Sequence, residues 1–323
     1  MIDAAIVGLG WWGQKIVTAV QGRSRKIRFI RGVTHEPQAV QRFADMHRIP
    51  LSGALSDVLA DDRVQAVVLA TPHTLHPTQI VEVARTGRAV FSEKPLALKL
   101  ADAREAVETC KKHNVVLGLG TNKRFWPANR ELKRLLAGGV VGQVLHVEGH
   151  YTNQNSGAHF CEWRTRPEEA PGAGMTGAGI HVLDALVSIA GPVHSAYAQT
   201  VLRKPQPDPL DTATAVLRFR NDVSGVLATV RSSTFYWRIH VFGDCGSIEA
   251  LGENQVIVRR KGCDPETVTY QGVDSLLAEL DAYADAVSGR APYITTTDEM
   301  LNTVAAFEAI VSSIDSGAPV VLR

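Results

Sequence analysis

One short run constrains this chain more than any other: Gly8-Leu9-Gly10-Trp11-Trp12-Gly13, a G-x-G-x-x-G turn set between Ala4-Ala5-Ile6-Val7 and Lys15-Ile16-Val17-Thr18-Ala19-Val20. The first flank reads as a buried parallel strand and the second as a helix, so the glycines stand where strand passes into helix. Each meets a different demand. Gly8 allows a tight turn, Gly10 lets backbone approach a pyrophosphate, and Gly13 lets the helix pack closely on the strand. The helix N-terminus then offers N–H groups to phosphate oxygens. Trp12 is a candidate cofactor contact by stacking, although helix packing would also account for it. The alternative, an ordinary glycine turn, lacks a reason for the strand and helix on either side.

The alternation continues. A strand over 27–33 is followed by a helix over 36–44 with Pro37 in its first turn, and then by helix 55–59, strand 66–70, helix 78–85, strand 89–91, helix 100–113 and strand 115–118. Strands and helices of this length in alternation predict a parallel sheet with helices on both faces. From about residue 140 the texture changes to strands without intervening helices, at 144–151, 193–201, 213–220, 225–231, 238–242, 247–251, 256–260 and 267–270. Asn221-Asp222 reads as a hairpin turn between two of them. Helices over 276–288 and 298–316 close the chain. The expected architecture is an α/β Rossmann domain over 1–121, followed over 122–323 by an α+β domain on a largely antiparallel open sheet.

With 323 residues, 45% of them hydrophobic, the chain is long enough for two cores. Thirty-four basic residues against thirty-three acidic ones leave no basic surface for nucleic acid. The chain opens with no basic segment ahead of an apolar core, and no apolar run approaches a bilayer's thickness, so a cytoplasmic protein away from membranes is expected. Cys110, Cys161, Cys245 and Cys263 are widely spaced and read as reduced thiols. His35, His73 and His76 lack a carboxylate at fixed spacing, so no metal site is expected.

The carboxyl ends of the strands carry the remaining chemistry. Where the second strand ends, an acidic residue would hold the adenosine ribose, but the chain offers Thr34-His35. These donors, with Arg31 or Arg42, suit the extra phosphate of NADP over NAD; alternatively Glu36 holds the ribose. Past the next long strand comes Thr71-Pro72-His73-Thr74-Leu75-His76, and past the one after it Glu93-Lys94-Pro95. All of these are candidate cofactor contacts.

Together with Asn122-Lys123-Arg124-Phe125, Trp163-Arg164 and the glycine-rich run before His181, these motifs make nearly the whole chain resemble the Gfo/Idh/MocA family of NAD(P)-dependent oxidoreductases. The resemblance implies a substrate held between the domains and an open sheet that makes subunit contacts in a homodimer or homotetramer. It also implies Lys94 on the floor of the site, where an ammonium donates to an oxygen that gains charge during hydride transfer, and Arg124, Trp163 and Arg164 beside the substrate. Arginine's planar fork suits a carboxylate or vicinal hydroxyls, but Lys123, Arg164 and Arg166 read equally well as solvated charges. His150, Tyr151, Asn153 and Asn155 follow a strand and are weaker candidates for polyol hydroxyls.

The segment Pro171-Gly172-Ala173-Gly174-Met175-Thr176-Gly177-Ala178-Gly179-Ile180-His181-Val182-Leu183-Asp184 resembles the family's signature around its site histidine. A helix starting near Gly177 puts 177, 181 and 184 on one face. Members of the family that this segment resembles commonly carry an aspartate one turn before the histidine; this chain has Gly177. His181 then acts alone as acid or base, or Lys94 takes the proton, or the chemistry is lost. Thr176 and Asp184 are nearby polar groups. The expected activity is hydride transfer between NADP or NAD and a secondary alcohol or ketone of a sugar, cyclitol or polyol. A dehydrogenase of a nonsugar cyclic diol or carboxylated ring, and a cofactor-binding sensor without turnover, are the alternatives.

Overall fold

A computed structural model describes residues 1–153, 162–203, 208 and 210–322; Asn155 and Cys161 lie outside them. The chain packs as two compact units, Met1–Asn122 with Asp274–Thr297, and Lys123–Val273 with Asp298–Arg323.

The first unit holds six parallel strands, β1 (Ile2–Val7), β2 (Ile27–Val33), β3 (Leu51–Ser52), β4 (Ala66–Leu69), β5 (Ala89–Glu93) and β6 (Leu117–Gly120). They lie in the order β3-β2-β1-β4-β5-β6. This is the doubly wound order, and the chain reverses direction across the sheet between β1 and β4, leaving a crevice at their carboxyl ends. β4 and β5 are buried along their whole length, as a sheet covered on both faces requires. Helices α1 (Trp11–Val20), α2 (Pro37–His47), α3 (Leu55–Leu59), α4 (His76–Arg85) and α5 (Leu100–Lys112) connect the strands. The two-residue β3 is too short to leave a periodic signal.

The second unit is built on nine strands: β7 (Val144–Thr152), β8 (Val193–Val201), β9 (Thr212–Phe219), β10 (Ser224–Val230), β11 (Tyr236–Gly243), β12 (Gly246–Leu251), β13 (Gln255–Arg260), β14 (Glu266–Thr269) and β15 (Val320–Val321). Their order is β14-β13-β12-β11-β7-β10-β9-β8-β15, and every pairing but the parallel β10–β7 is antiparallel. Helix α7 (Ile180–Ala190) packs on β7, β10 and β11, while α6 (Pro127–Ala137) packs on β12 and β13. Strand alternation shows which face of the sheet is buried: Ala213, Ala215, Leu217 and Phe219 of β9 are buried, and Thr214, Val216 and Arg218 are exposed. Helix α6, with Pro127 in its first turn and Ala128 and Leu132 buried, carries a helical signature that the sequence reading passed over.

The sequence reading places everything after 121 in the second domain. In the structure, α8 (Ser275–Val287) belongs to the first unit and packs against α1. Gly118 supplies one physical reason: a Cβ there would meet the Tyr283 ring at 2.7 Å, so bare backbone on β6 makes room for a fully buried tyrosine. Burying the apolar part of such a ring contributes about 1.5–3 kcal/mol, which the buried hydroxyl, without a hydrogen-bond partner among the described residues, partly offsets. Arg23–Asp274 and Lys26–Asp285 ion pairs at 2.6 and 2.7 Å edge the same contact. Among the described residues no helix is long and apolar enough to cross a membrane.

Candidate active site

In the first unit, Gly8 turns out of β1 at φ +94°, a conformation that side chains with a Cβ rarely adopt. A Cβ there would also lie 2.5 Å from the Ala70 carbonyl oxygen, which ties the turn to the end of β4. At Gly13 a Cβ would overlap the Gly8 carbonyl oxygen, whereas at Gly10 it would meet no heavy atom within 4 Å. Gly10 is the N-cap of the ten-residue α1, and no side chain caps it. A crowded pair of glycines around an open one, before an uncapped helix N-terminus, is a cradle that fits a pyrophosphate. Trp12 is half-buried, 5.3 Å from the Trp11 ring, and its buried Nε1 has no hydrogen-bond partner among the described residues.

Thr34 follows β2 half-buried and His35 is exposed; Thr34 Oγ1 accepts the Glu36 N–H at 3.4 Å. Arg31 is drawn away to Asp61, its Nε 2.9 Å from Oδ2. Arg63 and Arg31 together hold the Asp61 carboxyl well below the usual carboxylate range. Thr71 and Pro72 are half-buried after β4, and Thr71 Oγ1 donates to Gln79 at 2.6 Å. His73 is buried, and its ring stands edge-on to His76, 6.0 Å between centroids. His76, with no exposed surface, turns Nδ1 to the Pro95 carbonyl at 2.7 Å and Nε2 to the Thr71 carbonyl at 3.0 Å. Glu93 is buried at the end of β5, against the bare face of Gly120, and Lys94 is half-buried beside it. The Lys94–Pro95 peptide is cis.

In the second unit the structure sorts the expected polar groups differently. Arg124 is buried and gives Nε and Nη2 to the two oxygens of Asp184, at 2.7 and 2.8 Å, and Nη1 to Glu299 at 3.0 Å. Burial alone would lower the Arg124 pKa, but Asp184 and Glu299 more than offset that and raise it. Its fork, read from sequence as a substrate contact, faces two carboxylates of the protein. Lys123 is buried, with its ammonium 4.0 Å from the Trp126 ring centroid, 4.3 Å from that of Tyr151 and 5.3 Å from that of Trp237. Such cation–π contacts contribute about 0.5–2 kcal/mol each, depending on desolvation. Burial pushes the Tyr151 hydroxyl up to about 12, with Glu253 adding to the effect.

Tyr151 also meets His181, edge to face at 6.2 Å. His181 is half-buried on the first turn of α7, which is led in by a π-helical turn over Met175–Gly179. Gly177 is exposed in that turn, and among the described residues a Cβ on it would meet no heavy atom within 4 Å. Gly174 is fixed by Asp211, whose Oδ1 would lie 2.7 Å from an added Cβ; Asp211 is paired with Arg231 at 2.7 Å. Thr176 donates its hydroxyl to the Pro171 carbonyl at 2.6 Å. Trp163 and Arg164 are half-buried, with the guanidinium stacked 4.7 Å from the indole centroid.

The first unit thus gathers Gly8, Gly10, Gly13, Thr71 and Pro72 at the carboxyl ends of β1 and β4, with Lys94 at the end of β5. The second gathers His181, Tyr151 and Lys123. The sequence reading missed the aromatic box around Lys123, whose only signal was Trp126 three residues on, and the pairing of Asp211 with Arg231, which no local pattern announces.

Comparison with known proteins bears on both units. Residues 2–121 match a family model described as an oxidoreductase family with an NAD-binding Rossmann fold, and 129–249 match the GFO/IDH/MocA C-terminal domain. An uncharacterized oxidoreductase of Streptococcus pneumoniae is 27% identical over 173 residues, 53% of this chain but 46% of the pneumococcal protein, so the match spans under half of that relative's length. The scyllo-inositol 2-dehydrogenase (NAD(+)) of Bacillus subtilis is 27% identical over 99% of this chain and 96% of its own. Among solved structures, the WlbA dehydrogenase of Bordetella pertussis, in complex with NADH and UDP-GlcNAcA, superposes with a TM-score of 0.86 at 25% identity, covering 100% of this chain and 98% of that one.

Proposed function

Because the chain belongs to the GFO/IDH/MocA family of oxidoreductases, we propose that it transfers a hydride between a nicotinamide dinucleotide and a secondary alcohol or ketone of a sugar, cyclitol or related polyol. The observation that carries this reading is the glycine cradle, open at Gly10 and closed at Gly8 and Gly13, before an uncapped α1. When bound, the nicotinamide supplies the hydride acceptor or donor. The chain supplies the rest. Lys94 donates a hydrogen bond to the substrate oxygen, lowering the cost of charge that builds there. His181 takes the hydroxyl proton in oxidation and returns it in reduction. Trp163 and Arg164 position the substrate, and Arg124 braces the site through Asp184. We assign NADP as the preferred cofactor from Thr34 and His35, which bring no carboxylate to the ribose. The exposed sheet face carrying Tyr197 and Val216 is the surface we assign to contact between subunits of a homodimer or homotetramer.

A second reading rests on Tyr151. The Trp237 and Phe235 rings lie 5.6 and 6.4 Å from that of Tyr151, which itself meets His181 at 6.2 Å, and this aromatic lining favours a cyclic diol over an open polyol. A trans-1,2-dihydrobenzene-1,2-diol dehydrogenase of Bos taurus is 24% identical over 65% of this chain. The test of both is a panel of polyols, sugars, sugar acids and cyclic diols, each with NADP and with NAD, followed by the absorbance of reduced nicotinamide. Turnover of sugars or cyclitols supports the first reading, turnover of cyclic diols alone the second. Preference for NAD overturns the role given to Thr34 and His35, and cofactor binding without turnover across the panel supports a sensor.

A further inference from the structure

His76 has the chemistry of a cofactor ligand and the surroundings of a buried brace. It opens α4 with no exposed surface, and its two ring nitrogens face the carbonyl oxygens of Thr71 and Pro95. Those carbonyls belong to different loops. Thr71 follows β4 and Pro95 follows β5, two strands paired in parallel from Ala66↔Ala89 to Leu69↔Ser92. A ring with no exposed surface and both nitrogens turned to backbone has no edge left for a ribose or phosphate. What it can do is hold two loops in register. Carbonyl oxygens accept but never donate, and a neutral imidazole carries one N–H, so it donates to one of the two. With the proton on Nδ1 the donor faces the Pro95 carbonyl at 2.7 Å, and losing a donor to a buried acceptor costs about 1–3 kcal/mol.

We infer that His76 is a positioning residue that fastens the loop after β4 to the loop after β5, so that Thr71-Pro72 and Lys94 are presented to the cofactor as one piece. The functional half of this inference rests on the proposed reading that these loops serve a nicotinamide dinucleotide; the tie itself is a property of the chain alone. Lys94 is the residue directly before Pro95, so the Pro95 carbonyl is the nearest anchor downstream of the ammonium. A loop released at that anchor gives the backbone beside Lys94 more freedom, with the buried Leu96 and Ala97 further along left to hold the chain on their own. Misplacement of an ångström at such a group is enough to lose rate or affinity.

The test uses the full chain and two variants. His76→Phe keeps a ring of similar size and removes both nitrogens; His76→Gln keeps a donor that can reach one carbonyl. Amide hydrogen exchange is read over 70–75 and 94–98 without cofactor, and NADH affinity by fluorescence titration. The expected result is faster exchange at both segments in His76→Phe with 33–40 unchanged, NADH affinity lower by about ten-fold, and recovery of most of both in His76→Gln. Unchanged exchange at the two segments overturns the inference, as does a glutamine variant no better than the phenylalanine one, which would mean that packing alone matters. Uniform loosening of the whole first unit also overturns it. If His76→Phe does not accumulate, His76→Gln decides alone: exchange faster than wild type at both segments supports the tie and wild-type exchange contradicts it. A wild-type chain that binds neither NADH nor NADPH removes the cofactor reading, and exchange then decides the tie by itself.

Discussion

Gly10 and Gly13 stand three positions apart in one turn, and the space around them differs. A Cβ at Gly13 overlaps the Gly8 carbonyl, while one at Gly10 meets nothing within 4 Å. Gly13→Ala is therefore expected to force the turn away from α1 at a cost of about 1–3 kcal/mol, seen as a lower urea midpoint. Gly10→Ala is expected to keep stability within about 0.5 kcal/mol of wild type while lowering NADH affinity, because the methyl enters the space through which a pyrophosphate approaches. Equal destabilisation by both variants would contradict the cradle. Lys123 shows how a single residue escapes sequence reading: next to Arg124 it has the composition of a solvated pair, and only the fold reveals that Trp126, Tyr151 and Trp237 converge on it.

Between elements, the buried pair of Arg124 with Asp184 joins the start of the second unit to α7. Removing Asp184 leaves the buried guanidinium with the Glu299 carboxylate at 3.0 Å, so Asp184→Ala is expected to cost up to about 3–5 kcal/mol, and the triple variant Arg124→Met, Asp184→Leu, Glu299→Gln to recover most of it. Urea unfolding of wild type and the two variants checks this; a combined variant less stable than Asp184→Ala would contradict the pairing. The sheet face carries a second network, on β7, β11, β12 and β13. Arg238 reaches Glu148 at 2.7 Å, Glu249 at 2.6 Å and His240 Nδ1 at 2.5 Å, and Arg259 lies 2.9 Å from Glu249. Burial, then the Arg238 charge, pushes the His240 pKa from 6.5 down to about 4. The folded ring thus holds its proton less firmly than the unfolded one. Its contribution is fully present above pH 6.5 and is lost as the pH falls through 6.5 towards 4, by up to ~3 kcal/mol. In the difference between wild type and His240→Gln, followed by unfolding across that range, this loss is expected to appear as a slope; a flat difference would contradict it.

At the scale of the whole molecule, the parts legible in sequence were those set by local period and local chemistry. The glycine turn, the alternation through 120 and most strand boundaries of the second sheet follow from side-chain spacing. The return of α8 to the first unit does not, because its partners Gly118 and Arg23 lie more than 150 residues away and nothing within the helix names them. The same holds for the site. Residues that act through their backbone, such as Gly8 and Gly13, were readable, whereas Arg124 and His76 changed role once distant acceptors were in place. The central claim is that this chain moves a hydride to or from a nicotinamide. It is tested most directly by incubating the protein with NAD or NADP and a mixture of cyclitols and sugars deuterated at their carbinol carbons, then weighing the recovered cofactor. One deuterium in the reduced cofactor, lost in Lys94→Met, is the result expected; no reduced cofactor, or reduced cofactor without deuterium, would contradict the claim.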